Sequence, residues 1–141
     1  MRTIEDLKRH AQLFRAAIKK CDRTKLPVSL QEFPCGACGD ATLLLGTYLI
    51  ENGYESFDYM EEHMGFMAEG NWFSHAWLQG ERLVVDITAD QFPGIVQTVI
   101  VGENSDWHRS LNGKTQRVAD YRTCNSELES AYREILRNIQ P

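Results

Sequence analysis

A chain of 141 residues, 43% apolar and 25% charged, can bury one sizeable core but is short for two ordinary domains, so residues 1–141 are expected to form a single domain. No apolar run spans a bilayer, and a net charge of −5 with basic and acidic residues interleaved gives no footprint for nucleic acid. The charged N-terminus MRTIEDLKRHAQLFRAAIKK lacks the apolar core of a secretory signal, so a cytoplasmic protein is expected, its four cysteines acting as thiols rather than disulfides.

Residues 3–20 predict an amphipathic helix, capped by Thr3 with Asp6, with Ile4, Leu7, Ala11, Phe14 and Ile18 on one face. A loop with two prolines follows. The next helix is predicted from about Cys38 to Asn52, with Ala41, Leu44, Leu45 and Tyr48 buried and Asn52-Gly53 as its stop. YESFDYM, GFMAE, NWFSHAWLQ, RLVVDIT and IVQTVIV are short, aromatic or β-branched, and divided by Gly, Asn or Pro, which predicts a largely antiparallel sheet. Residues 102–125 carry no element signal. A last helix is predicted behind a capping box of Ser126 and Glu129, with Leu128, Ala131, Tyr132, Ile135, Leu136 and Ile139 inward. The expected fold class is α+β.

The chemistry centres on Cys35-Gly-Ala-Cys38, just ahead of the second helix. A dithiol redox pair uses such a helix start, yet it normally follows a buried strand, and here a Pro-interrupted loop precedes it. Zinc needs two further ligands; Cys21, Cys124 and His75 exist, but none forms a second close pair. The remaining reading is a nucleophile, which requires a base and a group to orient that base.

NWFSHAWLQGERLVVDIT supplies both. A two-residue hairpin loop at Gly80-Glu81 gives cross-strand partners whose numbers sum to 161, as those of His75 and Asp86 do. Alternation puts Phe73, His75 and Trp77 on one sheet face and Trp72, Ser74, Ala76 and Leu78 on the other. Asp86 interrupts an apolar strand, where a carboxylate is costly unless paired, and its predicted partner is a histidine. His10, His63 and His108 show no acid or thiol partner and are expected at the surface. Trp72, Trp77 and Trp107 are expected as core or wall residues.

A Cys opening a helix, a His in SHAWL and an Asp in VVDIT, in that order, resemble the transglutaminase-like branch of the papain-like cysteine enzymes. Phe-Pro-x-Gly-x-Cys-Gly-Asp-Ala-Thr and Asp-Ile-Thr-Ala-Asp-Gln-Phe also resemble small bacterial members of that superfamily; the similarity covers about residues 31–92. It implies a papain-like core with the nucleophile helix on the sheet, Cys38 as nucleophile, His75 as general base and acid, and Asp86 as the residue that orients His75. Papain relatives place an aromatic after the nucleophile, where this chain has Gly39. The interval from Cys38 to His75 is also far shorter than the ~130 residues of papain-type proteases, which favours the transglutaminase-like branch.

The backbone N–H of Cys38 is the natural oxyanion donor, with Gln31, Cys35 and Gln91 as further oxyanion or cleft candidates. Asp40 reads as first-turn charge that favours the helix. The expected activity is acyl transfer through a thioester: amide hydrolysis, deamidation or transamidation of a peptide, protein or small amide or acyl substrate. It needs neither metal nor cofactor, although an acyl-CoA donor is compatible. The alternatives are a Cys-x-x-Cys redox or zinc module, and a catalytically silent interaction or immunity protein.

Overall fold

The computed structural model describes residues 3–64, 73–103, 105–111 and 113–139. Thr3 accepts the Asp6 N–H at 3.0 Å while the Asp6 carboxylate accepts the Thr3 N–H at 3.2 Å, so the predicted capping box opens α1 (Ile4–Lys20). Leu7, Ala11, Phe14 and Ile18 are buried as the periodicity requires, whereas Ile4 stays exposed. Arg15, also buried on this helix, escaped the pattern because only apolar positions were counted.

The proline loop contains a short helix, α2 (Val28–Gln31). Helix α3 (Cys38–Glu51) then begins at the second cysteine and stops at Asn52 and Gly53, whose φ of +90° only glycine adopts without strain. Instead of one apolar stripe, every residue from Ala41 to Leu49 is buried. The helix is central: the sheet covers it on one side, and α1 and α5 (Tyr121–Cys124) pack on others.

The sheet has five antiparallel strands among the described residues, in the order β4-β3-β2-β1-β5. They are β1 (Asp58–Met64), β2 (Phe73–Gln79), β3 (Leu83–Asp86), β4 (Ile100–Glu103) and β5 (Lys114–Val118). The fold is α+β. The predicted strand GFMAE and Trp72 lie outside the described residues. Strands β1 and β4 begin later than YESFDYM and IVQTVIV suggested, and β5, with α4 (Asp106–Ser110) and α5, fills the stretch that carried no signal. No helix among the described residues is long and apolar enough to cross a membrane.

The hairpin differs in register from the expectation. Leu78 pairs Val85 and Gln79 pairs Val84, and the Gly80 N–H bonds the Leu83 carbonyl at 2.8 Å, so the loop is Glu81-Arg82. Gly80 is absent from the positive-φ glycines; a β-carbon there would meet the Phe57 ring at 3.0 Å. The glycine therefore admits a neighbour rather than forming a turn. The register moved by two residues, and an even shift leaves every side chain on its predicted face.

The two faces have separate roles. Ala76, Leu78, Tyr59 and Val85 join the core with α1, α3 and α6 (Glu129–Arg137), while Trp77 and Val84 pack with Leu111, Met60 and Trp107 on the other side. The predicted Ser126 capping box is not formed. Asn125 caps a 3₁₀ turn at Ser126–Leu128, and α6 follows with no side-chain cap of its own.

Candidate active site

Three elements bring the predicted triad together. α3 presents Cys38 at its first position, half-buried, with Ala37 as an N-cap that makes no side-chain bond. The first backbone N–H groups of the helix thus have no side-chain acceptor. On β2, His75 is 1% exposed and its Nε2 lies 2.6 Å from Oδ2 of Asp86, itself 2% exposed at the end of β3. Extending the observed register sets Asp86 across from Trp77, so the two residues meet on the diagonal rather than directly opposite. The β2–β3 pairing runs through Leu78–Val85 and Gln79–Val84, and His75 lies three residues along β2 from the last pair.

Burial alone would push the His75 imidazole down. The hydrogen bond to Asp86, the neighbouring Cys38 and the charges of both reverse this and hold it up, at about 9. Nδ1 of His75 is buried with no hydrogen-bond partner among the described residues, and Cys38 is the thiol beside this ring. Phe92 meets the imidazole edge-on at 4.9 Å between ring centres, Trp107 lies at 5.4 Å and Trp77 stacks at 5.8 Å. An aromatic box therefore fixes the ring plane, and Trp77 and Trp107 are its walls.

Tyr59 explains Gly39. A β-carbon at position 39 would meet the Tyr59 hydroxyl at 3.1 Å, so a side chain after the candidate nucleophile is accommodated only if Tyr59 gives way by a few tenths of an ångström. Burial, then Glu61 and Cys38, push the Tyr59 phenol far up, and its O–H donates to Glu61 at 3.1 Å.

The other candidates separate. Gln31 turns its amide to the Leu26 carbonyl at 3.0 Å, a contact within its own loop. Cys35 is exposed in the turn before α3, with Gly36 at φ +70°. Gln91 accepts the Gly36 N–H through Oε1 at 3.3 Å, while its Nε2 is buried without a partner among the described residues. That places an unspent amide donor against the loop that leads into Cys38. Its neighbour Asp90 makes a two-pronged ion pair with buried Arg15 at 2.9 and 3.0 Å. Asp40 in the first turn of α3 receives the Ser29 hydroxyl and ties α2 to α3.

His108 is the main correction. Expected at the surface, it is 3% exposed, and its Nε2 also lies 2.6 Å from Oδ2 of Asp86. Its only sequence signal was a Ser105-x-x-His108 spacing beside Trp107, a helix start in an otherwise polar stretch. His10 is also engaged, with Nδ1 3.0 Å from the Tyr54 hydroxyl; the His63 side chain lies outside the described residues. Burial alone would raise the Asp86 carboxyl, but hydrogen bonds from His108 and His75 hold it well below the usual carboxylate range.

His75, Asp86 and His108 offer three donor atoms within 4.8 Å of one another. Ligands of a tetrahedral zinc stand about 3.3 Å apart. The N···O separations of 2.6 Å are those of direct, charge-assisted hydrogen bonds instead. All four cysteines are free, and none joins this cluster. A cavity of about 530 Å³ borders Ser105 and the outer edge of His108; Cys38 is not among its lining residues, so chemistry rather than cavity size locates the site.

Comparison with protein families, with curated proteins and with solved structures finds no match.

Proposed function

We propose that the protein is a cysteine-dependent acyl-transfer enzyme with a papain-like, transglutaminase-like core. The observation that carries this reading is the imidazole of His75, clamped by Asp86 at 2.6 Å on one nitrogen and left with Cys38 beside it. A thiol at an uncapped helix start next to an imidazole held in its charged form is the arrangement that makes a nucleophilic thiolate.

In the mechanism, the Cys38 sulfur attacks an amide or acyl carbonyl carbon, and the carbonyl electrons move to oxygen. The Cys38 backbone N–H, with the Gln91 amide as second donor, stabilises that oxyanion. His75 passes its proton to the leaving amine, and a thioester to Cys38 remains. Water or an amine, deprotonated by His75, then displaces the thiol.

Haloacetamide labelling followed by peptide mass mapping tests the reading, because access and activation predict opposite orders. Cys35 is exposed and Cys38 is not, so simple access favours Cys35. The triad requires Cys38 to react first at neutral pH, His75→Ala to abolish that preference, and Cys35→Ser to leave it intact. A burst of p-nitrophenolate from p-nitrophenyl acetate, with one acetyl group on Cys38, completes the test. Faster labelling at Cys35, unchanged by His75→Ala, overturns the proposal and leaves a silent interaction protein. Loss of activity in Cys35→Ser would favour a dithiol module.

A further inference from the structure

We propose that His108, backed by Ser105, is a positioning residue that fixes the carboxylate of Asp86 in the orientation from which it holds His75. The inference rests on the triad reading above and adds a second histidine to it. Oδ2 of Asp86 receives Nε2 of His75 and Nε2 of His108 at 2.6 Å each, while Oδ1 receives the Thr88 N–H at 2.9 Å. Both oxygens are thereby engaged, and the carboxylate is locked against rotation.

Ser105 meets the nitrogen of His108 that Asp86 leaves free. Its Oγ accepts the backbone N–H of His108 at 3.3 Å as the N-cap of α4, and the same oxygen lies 2.5 Å from Nδ1. A carboxylate only accepts, so Nε2 of His108 carries the N–H that Asp86 receives; in the neutral ring Nδ1 is then an acceptor, and the Ser105 hydroxyl donates to it. Trp107 packs edge-on at 4.8 Å and Trp77 at 5.1 Å between ring centres, which holds the ring in this plane. A histidine serving only as core filler would need neither the capping serine nor a shared carboxylate oxygen.

The surroundings leave Asp86 to these partners. Cys38 of α3 faces His75, and Glu62 of β1 is paired with His75 in register. On the outer edge of His108 the cavity is bordered by Glu81 and Arg82 of the hairpin loop, Glu103 of β4 and Arg109 of α4. Without His108 the carboxylate has one donor fewer and takes up a proton at higher pH, which releases its hold on the imidazolium.

Ring-¹⁵N NMR of the full chain, paired with the pH profile of Cys38 alkylation, tests this. Wild type should show two strongly deshielded ring N–H protons, one on each histidine, and Asp86→Asn should lose both. Ser105→Ala should shift the His108 signal alone. His108→Ala should shift the His75 signal and move the acid limb of the alkylation profile up by about one pH unit, a slowing of about tenfold on that limb. His108→Gln, which keeps an N–H donor, should restore most of that rate. If His108→Ala fails to fold, Ser105→Ala and His108→Gln carry the test. An unchanged His75 signal and unchanged pH profile in the His108 variants overturn the proposal. If wild-type Cys38 shows no preferential labelling, the triad reading falls, while the NMR arm still decides whether His108 acts on His75 through Asp86.

Discussion

His75 and Asp86 make their 2.6 Å contact on a diagonal of the sheet, with both groups almost wholly removed from water. A charged pair in that setting ties stability to pH. The raised His75 value means the folded state binds its proton more tightly than the unfolded chain does. Its contribution is therefore complete below about 6.5, the ordinary histidine value, and fades as pH rises through about 9. The depressed Asp86 carboxyl acts in the opposite sense: its contribution is present above the ordinary carboxylate value and is lost on acidification. Urea denaturation should show a plateau between about pH 4 and 6.5 and a decline of about 3 kcal/mol by pH 9 and above. His75→Phe should flatten the alkaline decline; a wild-type curve that rises toward pH 9 contradicts the pairing.

Gln91 separates the nucleophile from the stabilisation of charge on the substrate. Alkylation of a thiol by a haloacetamide passes through no oxyanion, whereas acyl transfer does. Gln91→Ala should therefore leave Cys38 alkylation within about twofold and reduce the p-nitrophenolate burst by about 10²-fold, the usual effect of one oxyanion donor. Equal loss in both assays would instead mean that Gln91 shapes the loop before Cys38 through its bond to Gly36.

The sequence brought His75 and Asp86 together on paper because the local rules there have one physical meaning. Alternation in Phe-Ser-His-Ala-Trp-Leu fixed which residues share a face, and Asp86 stood out because an unpaired carboxylate is not tolerated in an apolar strand. Gly80 misled because a glycine marks either a turn or a close approach, and only the Phe57 ring, distant in sequence, distinguishes them. The error was harmless to the pairing since two residues is one full strand period. His108 and β5 were invisible for a different reason: residues 102–125 show no apolar period, and their positions are set by Asp86 and by β1. Ser126-Glu129 looked like a capping box, but Asn125 one residue earlier takes the cap.

Two glycines give a contrast in cost. A β-carbon at Gly46 would overlap the backbone carbonyl of Ala119, which cannot move without displacing α5 from α3. At Gly80 the obstacle is the Phe57 ring at 3.0 Å, a side chain able to turn aside. Gly46→Ala should destabilise by about 3 kcal/mol and Gly80→Ala by about 1 kcal/mol, read from denaturation midpoints. Reversal of that order would mean that Phe57 is held more rigidly than the α3–α5 contact.

Arg15 governs the segment that carries Gln91 and Phe92. Its guanidinium grips Asp90 with both terminal nitrogens, donates to the carbonyls of Ile87 and Thr98 at 2.5 and 3.1 Å, and lies over the Phe33 ring at 5.1 Å. One side chain of α1 thus spans the whole connection from β3 toward β4 and reaches the proline turn before Cys38. Arg15→Met should cost about 3 kcal/mol, because two carbonyls and a carboxylate lose a buried donor together. Arg15→Lys keeps the charge but not the planar fork and should recover less than half of the loss. Since Asp90 shares this interaction, Arg15→Met combined with Asp90→Asn should be less destabilised than the two single changes predict together. Additive costs would show instead that Arg15 acts through the carbonyls and Phe33, with the ion pair contributing little.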